Sequence, residues 1–98
     1  MLLMTETYKN YHAVESQMTQ AMKDLMFELL IHKYLYYEMD RPVMTDYEYD
    51  QMESKWFRML EDAGINTDNY PFAVRFPHGH PMAQQAATKA KSLLGIEV

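Results

Sequence analysis

The stretch Tyr34–Asp50, which reads Y-L-Y-Y-E-M-D-R-P-V-M-T-D-Y-E-Y-D, decides the fold because it joins two helical patterns through a proline. It holds five of the eight tyrosines of the chain. The residue before a proline disfavours the helical conformation, so the first helix is expected to stop before Pro42. Thr45 to Glu48 has the S/T-x-x-E form of a capping box, which predicts the start of a second helix. The stretch is therefore predicted to form the turn of a helical hairpin.

On both sides of this stretch, apolar residues recur at spacings of three and four, as on one face of an amphipathic helix. Upstream, no glycine or proline interrupts the pattern, which predicts one long helix over residues 13–40. Downstream, the pattern runs to Gly64, a typical C-terminal glycine, and predicts a second helix over residues 45–63. Because the connection is short, the two helices are expected to pack antiparallel.

The rest of the chain divides into a loop and a third helix. Residues 64–81 are rich in turn formers and are predicted to be a loop whose aromatic residues pack back onto the hairpin. Pro81 suits the first position of a short helix, which is predicted over residues 82–94. Residues 1–12 show weak periodicity and are expected to be a frayed lead-in or a short helix. The prediction is an all-α fold in which residues 1–98 form one small domain.

Composition narrows the possible functions. The formal net charge is −5, which disfavours a sequence-independent grip on nucleic-acid backbones, so no direct nucleic-acid binding is expected. The sequence has no cysteine, which excludes disulfides and cysteine zinc sites. No apolar run approaches the length of a membrane span. The chain is accordingly interpreted as a cytoplasmic protein with no membrane association.

The predicted turn of the hairpin also carries residues that suit a ligand. Tyr36 and Tyr37 fall in the last turn of the first helix, and Asp46, Tyr49 and Asp50 fall in the first turns of the second. Two ring faces clamp a flat aromatic group, and a cationic ring adds roughly 0.5–2 kcal/mol per contact. Carboxylates accept hydrogen bonds from hydroxyl and amide groups. Structural interpretations stay open, since the helix dipole favours Asp46, Tyr36 and Tyr49 suit a core, and Asp50 suits a solvated surface.

The same residues resemble a known family, the N-terminal Ia domain of bacterial NAD-dependent DNA ligases. That family carries a helix that ends in H-x-Y-L-Y-[YH]-x-x-D-x-P, and the motif [IV]-x-D-x-E-Y-D opens its next helix. This chain matches the first motif from His32 to Pro42 and the second from Asp46 to Asp50. The spacing agrees without a gap over about twenty residues, and this makes the match fairly specific.

The resemblance implies a binding role for NAD. In the family, the domain binds the nicotinamide mononucleotide (NMN) half of NAD and closes over an adenylation domain, where a lysine attacks the AMP phosphate. By position, Tyr36 and Tyr49 correspond to the residues that flank the nicotinamide ring. Asp46 and Asp50 correspond to those that bind its carboxamide and ribose, and Tyr37 corresponds to a residue near the phosphate.

The K-x-D-G motif that contains the attacking lysine is absent from these 98 residues, so no catalytic residue is predicted. The expected partner is an adenylation domain of a DNA ligase on another chain. A split gene of this kind suits a compact, phage-like genome and a role in DNA replication and repair.

Two other interpretations stay open. The chain could be a small acidic interaction protein that binds or regulates a partner such as a DNA ligase without binding a nucleotide, or it could be one domain of a longer ligase. His78 and His80 could hold a metal, but no third ligand accompanies them, so no metal site is predicted. His12 and His32 are interpreted as surface and helix-packing residues, and Trp56 as part of the core.

Overall fold

The structure of the protein, a computed structural model, describes residues 11–73 and 75–95. Helix α1 is seen over residues 11–15, so most of the predicted lead-in over residues 1–12 lies outside the described residues. The later helices are α2 (Gln20–Lys33), α3 (Asp46–Asp62) and α4 (Ala83–Leu93), with a π-helical turn (Tyr34–Glu38) after α2 and a 3-10 turn (Pro71–Ala73) before α4. The described residues contain no strand, and the all-α prediction is confirmed. None of the described helices is long and apolar enough to cross a membrane.

The first predicted helix is divided in two. The prediction of one helix over residues 13–40 is wrong, because α1 ends at residue 15 and a non-helical link over residues 16–19 separates it from α2. Thr19 has extended backbone angles, and its side-chain oxygen accepts a hydrogen bond from the Met22 amide at 3.3 Å. Threonine at such a cap competes with a continued helix, and this signal is masked by the unbroken apolar pattern.

The second helix begins with the predicted capping box. The Thr45 side chain accepts the Glu48 amide at 3.1 Å, and the Glu48 carboxylate accepts the Thr45 amide at 3.0 Å. At the other end, Gly64 has a φ of +73°, a left-handed conformation that glycine adopts at little cost. Local side-chain chemistry therefore fixes both ends of α3.

The last helix starts later than Pro81 suggested. Pro81 does not occupy its first position, because residues 81 and 82 form a turn and Met82 is the N-cap of α4. The reason is His80: its Nδ1 accepts the Met82 amide at 3.0 Å, and its carbonyl oxygen accepts the Ala83 amide at 3.0 Å. These two bonds hold the chain in a turn before the helical ladder begins.

Two contacts join the middle of α3 to the two ends of α2, in the order expected for antiparallel helices. The indole NH of Trp56, in the second half of α3, donates to the carbonyl oxygen of Met22 at the start of α2, at 3.0 Å. Lys33, at the end of α2, contacts Glu53 in the first half of α3. Trp56 is fully buried, which confirms its predicted place in the core.

The loop between α3 and α4 packs back onto this hairpin, as predicted. The rings of Phe72 and Tyr70 lie 4.5 and 6.0 Å from the Trp56 ring, measured between centroids. Phe76 is also buried. From α4, only Ala86 and Ala90 are fully buried, and such small side chains allow a close approach of the helix. The core therefore lies behind the hairpin, and residues 40–47 at its turn are exposed apart from the half-buried Met44.

Candidate functional site

The end of α2 departs from α-helical geometry at the sequence that carries the first site tyrosines. The Met39 amide donates to the carbonyl oxygen of Tyr34 at 3.2 Å, and the Arg41 amide donates to that of Leu35 at 2.9 Å. Asp40 takes a φ of +52°, which is uncommon outside glycine, asparagine and aspartate. Such π-helical turns are frequent at functional sites. Proline located the end of this helix, but helical periodicity does not predict the wider turn.

All five predicted site residues lie around one pocket between the end of α2 and the start of α3. The pocket has a volume of about 270 Å³, and its walls include Tyr36, Tyr37, Asp46, Tyr49 and Asp50. This volume is slightly below the usual range for small-molecule sites. The pocket therefore suits one ring and a sugar better than a whole dinucleotide.

Two tyrosines are accessible at the mouth of this pocket. Tyr36 is 42% exposed and Tyr37 is 38% exposed, so the core interpretation of Tyr36 is wrong. Their rings meet edge to face, with centroids 4.8 Å apart. The guanidinium carbon of Arg75 lies 5.3 Å from the Tyr37 ring centroid. The mouth thus offers aromatic surface with one cation at its edge.

The third tyrosine, Tyr49, contacts an ion pair formed by Lys33 and Glu53, which the sequence did not predict as part of the site. Its hydroxyl donates to Glu53 Oε2 at 3.2 Å, and Lys33 Nζ lies 3.3 Å from the same oxygen. Lys33 is only 3% exposed, and its ammonium lies 5.5 Å from the Tyr49 ring centroid and 5.2 Å from that of Phe72. Burial and the nearby Glu53 carboxylate raise the pKa of Tyr49, so its hydroxyl stays protonated.

Only part of this pair could have been found from the sequence. Tyr49 and Glu53 are four apart on a helix, which brings their side chains together. Lys33 gives no comparable signal, because a lysine in a helix is usually exposed. Both Lys33 and Glu53 line the pocket.

His32 lines the pocket as well. Burial lowers its pKa, and the Glu28 carboxylate, 3.9 Å from Nε2, opposes this effect only in part. The imidazole is therefore neutral at neutral pH. Its Nδ1 is buried and has no hydrogen-bond partner among the described residues. The prediction that His32 is a helix-packing residue does not account for this unsatisfied nitrogen atom beside the pocket.

The charges around the pocket leave a negative balance. Lys33 and Glu53 offset each other, and His32 is neutral. Within the described ranges, no cation lies at ion-pair distance from Asp46 or Asp50. Two uncompensated carboxylates beside aromatic faces favour a flat, cationic group that carries hydrogen-bond donors.

The two histidines considered for a metal are held by different carboxylates. His78 Nε2 lies 2.7 Å from Glu38 Oε1, and His80 Nε2 lies 2.7 Å from Glu15 Oε2. The part of the chain that the structure describes contains no group of three or more side chains placed to hold a metal ion. The two histidines thus connect the loop to the π-helical turn and to α1.

Comparison with known proteins relates half of the chain to a known family. A family model described as DNA ligase-like, N-terminal NAD+-binding domain matches residues 15–63, half of the chain. The matched segment contains α2, the π-helical turn and α3, and with them every predicted site residue. No curated protein and no solved structure matches the chain.

Proposed function

This chain belongs to the DNA ligase-like, N-terminal NAD+-binding domain family, and from that premise we propose that its pocket binds NMN or the NMN half of NAD. The observation that carries the proposal is the gathering of three tyrosines and two aspartates around one pocket of about 270 Å³, with no ion-pair partner for either aspartate among the described residues. A nicotinamide ring is flat and cationic, and its carboxamide and ribose carry the donors that carboxylates accept.

Each side chain has a role in this proposal. The nicotinamide ring lies against Tyr36 and Tyr49, whose faces attract its positive charge. Asp46 and Asp50 accept hydrogen bonds from the carboxamide and the ribose hydroxyls. Tyr37 lies near the phosphate, and the Arg75 guanidinium over its ring supplies a cation there.

The proposed contribution to the reaction is positioning rather than bond making. NAD supplies the AMP group, and NMN is the leaving group. Since these 98 residues contain no K-x-D-G motif, the attacking lysine belongs to an adenylation domain, which we place on another chain. Holding the NMN half fixes the phosphate for in-line attack, and such orientation lowers the barrier without a catalytic residue on this chain. The two parts would serve DNA ligation in replication and repair.

The test is a mixing experiment. This chain is added to the adenylation domain of an NAD-dependent DNA ligase that lacks its own Ia domain, and lysine adenylation from NAD is followed. We expect stimulation by the wild-type chain and little by Asp50→Ala. Asp62→Ala, an exposed aspartate at the far end of α3, is the matched control and should stimulate like the wild type. Absence of stimulation by the wild-type chain contradicts the ligase role.

A second candidate function rests on two exposed apolar side chains beside the pocket. Val43 is 53% exposed and Tyr47 is 71% exposed, which favours contact with a protein partner. An interaction protein of this kind binds or regulates a partner such as a DNA ligase without binding a nucleotide. It predicts complex formation that Val43→Ser and Tyr47→Ala weaken, together with no response to NMN in a calorimetric titration.

A further inference from the structure

We infer that Glu53, by neutralising the buried Lys33, preserves the selectivity of the pocket for the oxidised, cationic nicotinamide ring over the reduced, neutral ring. The inference rests on the proposed function, because it assigns a selectivity to the same pocket. Neither residue is among those the sequence predicted for the site. Both are positioning residues in this account, since they act on the ligand through Tyr49 and through the local field.

The geometry places the pair directly behind a ring that the ligand contacts. Lys33 Nζ is 5.5 Å from the Tyr49 ring centroid, and Glu53 Oε2 accepts the Tyr49 hydroxyl. Lys33 is 3% exposed, and the Glu53 side chain is 26% exposed. Charges are rarely buried without a close partner, because each loses its hydration. The 3.3 Å contact supplies that partner and keeps both charges beside the pocket.

Because the charges of Lys33 and Glu53 cancel, the net negative charge of the pocket comes from Asp46 and Asp50. Without Glu53, an uncompensated ammonium would lie behind Tyr49 and repel a cationic ring. Without Lys33, an additional uncompensated carboxylate would attract it. At a partly buried site, one unit charge several ångströms away changes the affinity for a cation by about tenfold. The reduced ring is neutral, so its affinity does not respond to this charge.

The experiment compares NMN with reduced NMN by calorimetry on four proteins: the wild type, Glu53→Gln, Lys33→Met and the double variant. Glutamine keeps an acceptor for the Tyr49 hydroxyl, and methionine keeps an unbranched side chain against the rings. We expect the ratio of oxidised to reduced affinity to fall about tenfold in Glu53→Gln and to rise by a similar factor in Lys33→Met. The double variant should return to the wild-type ratio. Glu61→Gln and Lys55→Met, both exposed on α3, are the charge-matched controls.

A purely structural role gives a different result. If the pair only supports the fold around Tyr49, each single variant lowers both affinities by the same factor, and the ratio stays constant; this outcome overturns the inference. Circular dichroism identifies a variant that does not fold, and the remaining single variant, compared with the double variant, still gives the sign of the shift. If the wild type binds neither form at millimolar concentration, the proposed function fails first, and the inference falls with it.

Discussion

Two clusters of tyrosine, carboxylate and histidine side chains lie in this domain, and they differ in whether their polar groups are satisfied by the protein. The buried cluster, formed by Tyr11, Glu15, Tyr70 and His80, ties α1 to the loop before α4. The pocket cluster is formed by the five predicted site residues together with His32, Lys33 and Glu53. The residue types are almost the same, so composition does not distinguish a structural cluster from a binding site.

In the buried cluster, the polar groups of Tyr70 and His80 share the Glu15 carboxylate, and the Tyr11 ring packs edge to face against both rings. Glu15 Oε2 accepts the Tyr70 hydroxyl at 2.6 Å and lies 2.7 Å from His80 Nε2. Because His80 Nδ1 accepts the Met82 amide, the ring proton is on Nε2 and is donated to Glu15. Burial, with a smaller effect of the Glu15 carboxylate, raises the pKa of Tyr11 to about 12. Glu15, Tyr70 and His80 thus satisfy one another's polar groups within the protein.

In the pocket cluster, by contrast, several side chains are exposed or lack a charged partner among the described residues. Tyr36 and Tyr37 expose large parts of their rings, and Asp46 and Asp50 have no ion-pair partner in the described part of the chain. Tyr49, Lys33 and Glu53 are the members of this cluster that contact one another through polar groups. The comparison indicates that unpaired polar groups occur at the proposed ligand site, and that paired polar groups stabilise the fold. Mutations in the two clusters should therefore change different quantities.

The largest expected effect is on stability, in the buried cluster. Glu15→Ala leaves the Tyr70 hydroxyl and the His80 ring buried without their shared acceptor, so the free energy of unfolding should fall by about 2–4 kcal/mol. Urea denaturation followed by circular dichroism measures this loss. Glu61→Ala, an exposed glutamate, should change stability by no more than about 0.5 kcal/mol. Equal stability of the two variants would show that the cluster is not what ties α1 to the loop.

The next effect is on affinity, in the pocket. Tyr36→Ala removes a stacking face and should weaken NMN binding by about 1–2 kcal/mol, while the helix content stays unchanged. Calorimetry measures the affinity, and circular dichroism checks the fold. Tyr47→Ala, which removes a neighbouring and more exposed ring, is the control and should bind NMN like the wild type. A loss of stability in Tyr36→Ala with no loss of affinity would reverse the assignment of the two clusters.

A smaller effect on stability is expected at the capping box, which begins α3 beside the pocket. Thr45→Ala removes the N-cap of α3, just before Asp46, and should lower the free energy of unfolding by about 1 kcal/mol. Thr45→Ser keeps the capping oxygen and should restore most of this loss. Thermal unfolding of the three proteins checks the order. Identical midpoints for all three would mean that the capping box does not stabilise the domain.

The same box predicts a pH dependence. The Thr45 backbone amide, and then its side chain, hold the pKa of Glu48 below the ordinary value of 4.5. The folded state thus binds the proton less readily than the unfolded state, so this contribution is present above pH 4.5 and is lost as pH falls through the folded pKa. Denaturation between pH 7 and pH 3 should show a weaker acid dependence in Glu48→Gln than in the wild type. An unchanged profile would contradict the link.

The smallest expected effect at neutral pH concerns His32. Burial lowers its pKa below the ordinary value of 6.5, so the unfolded state takes up the proton first. Stability is therefore full above pH 6.5 and falls as pH decreases through the folded pKa. His32→Gln should remove this component, and denaturation at pH 7.5 and pH 5.5 measures it. The prediction fails if the wild type and the variant lose equal stability between these two values.

The sequence predicted best where the determinants are local. The capping box and Gly64 set the ends of α3 through neighbouring residues, and both were found in advance. The link over residues 16–19 and the π-helical turn were missed, because an unbroken apolar pattern gives no sign of either. The start of α4 was misplaced because it depends on His80, whose ring is fixed by Glu15 from a distant part of the chain.

The residues of the site also divide into those that the sequence predicted and those that it did not. The five predicted residues came from helical spacing and from a family resemblance, and the structure brings them to one pocket. Lys33 was missed because the resemblance leaves its position unspecified, and its burial depends on a partner across the hairpin. Glu53 lies beyond the matched motif. Charge pairs of this kind are tertiary features, and a single sequence does not reveal them.

The most direct test of the central claim is a calorimetric titration of the folded chain with NMN, NAD and AMP, continued to millimolar concentration because an isolated domain encloses only part of its ligand. The account predicts saturable binding of NMN and NAD, no response to AMP, and loss of the NMN response in the Asp46→Ala/Asp50→Ala double variant. Flat titrations with all three nucleotides, on protein shown to be folded by circular dichroism, would contradict it.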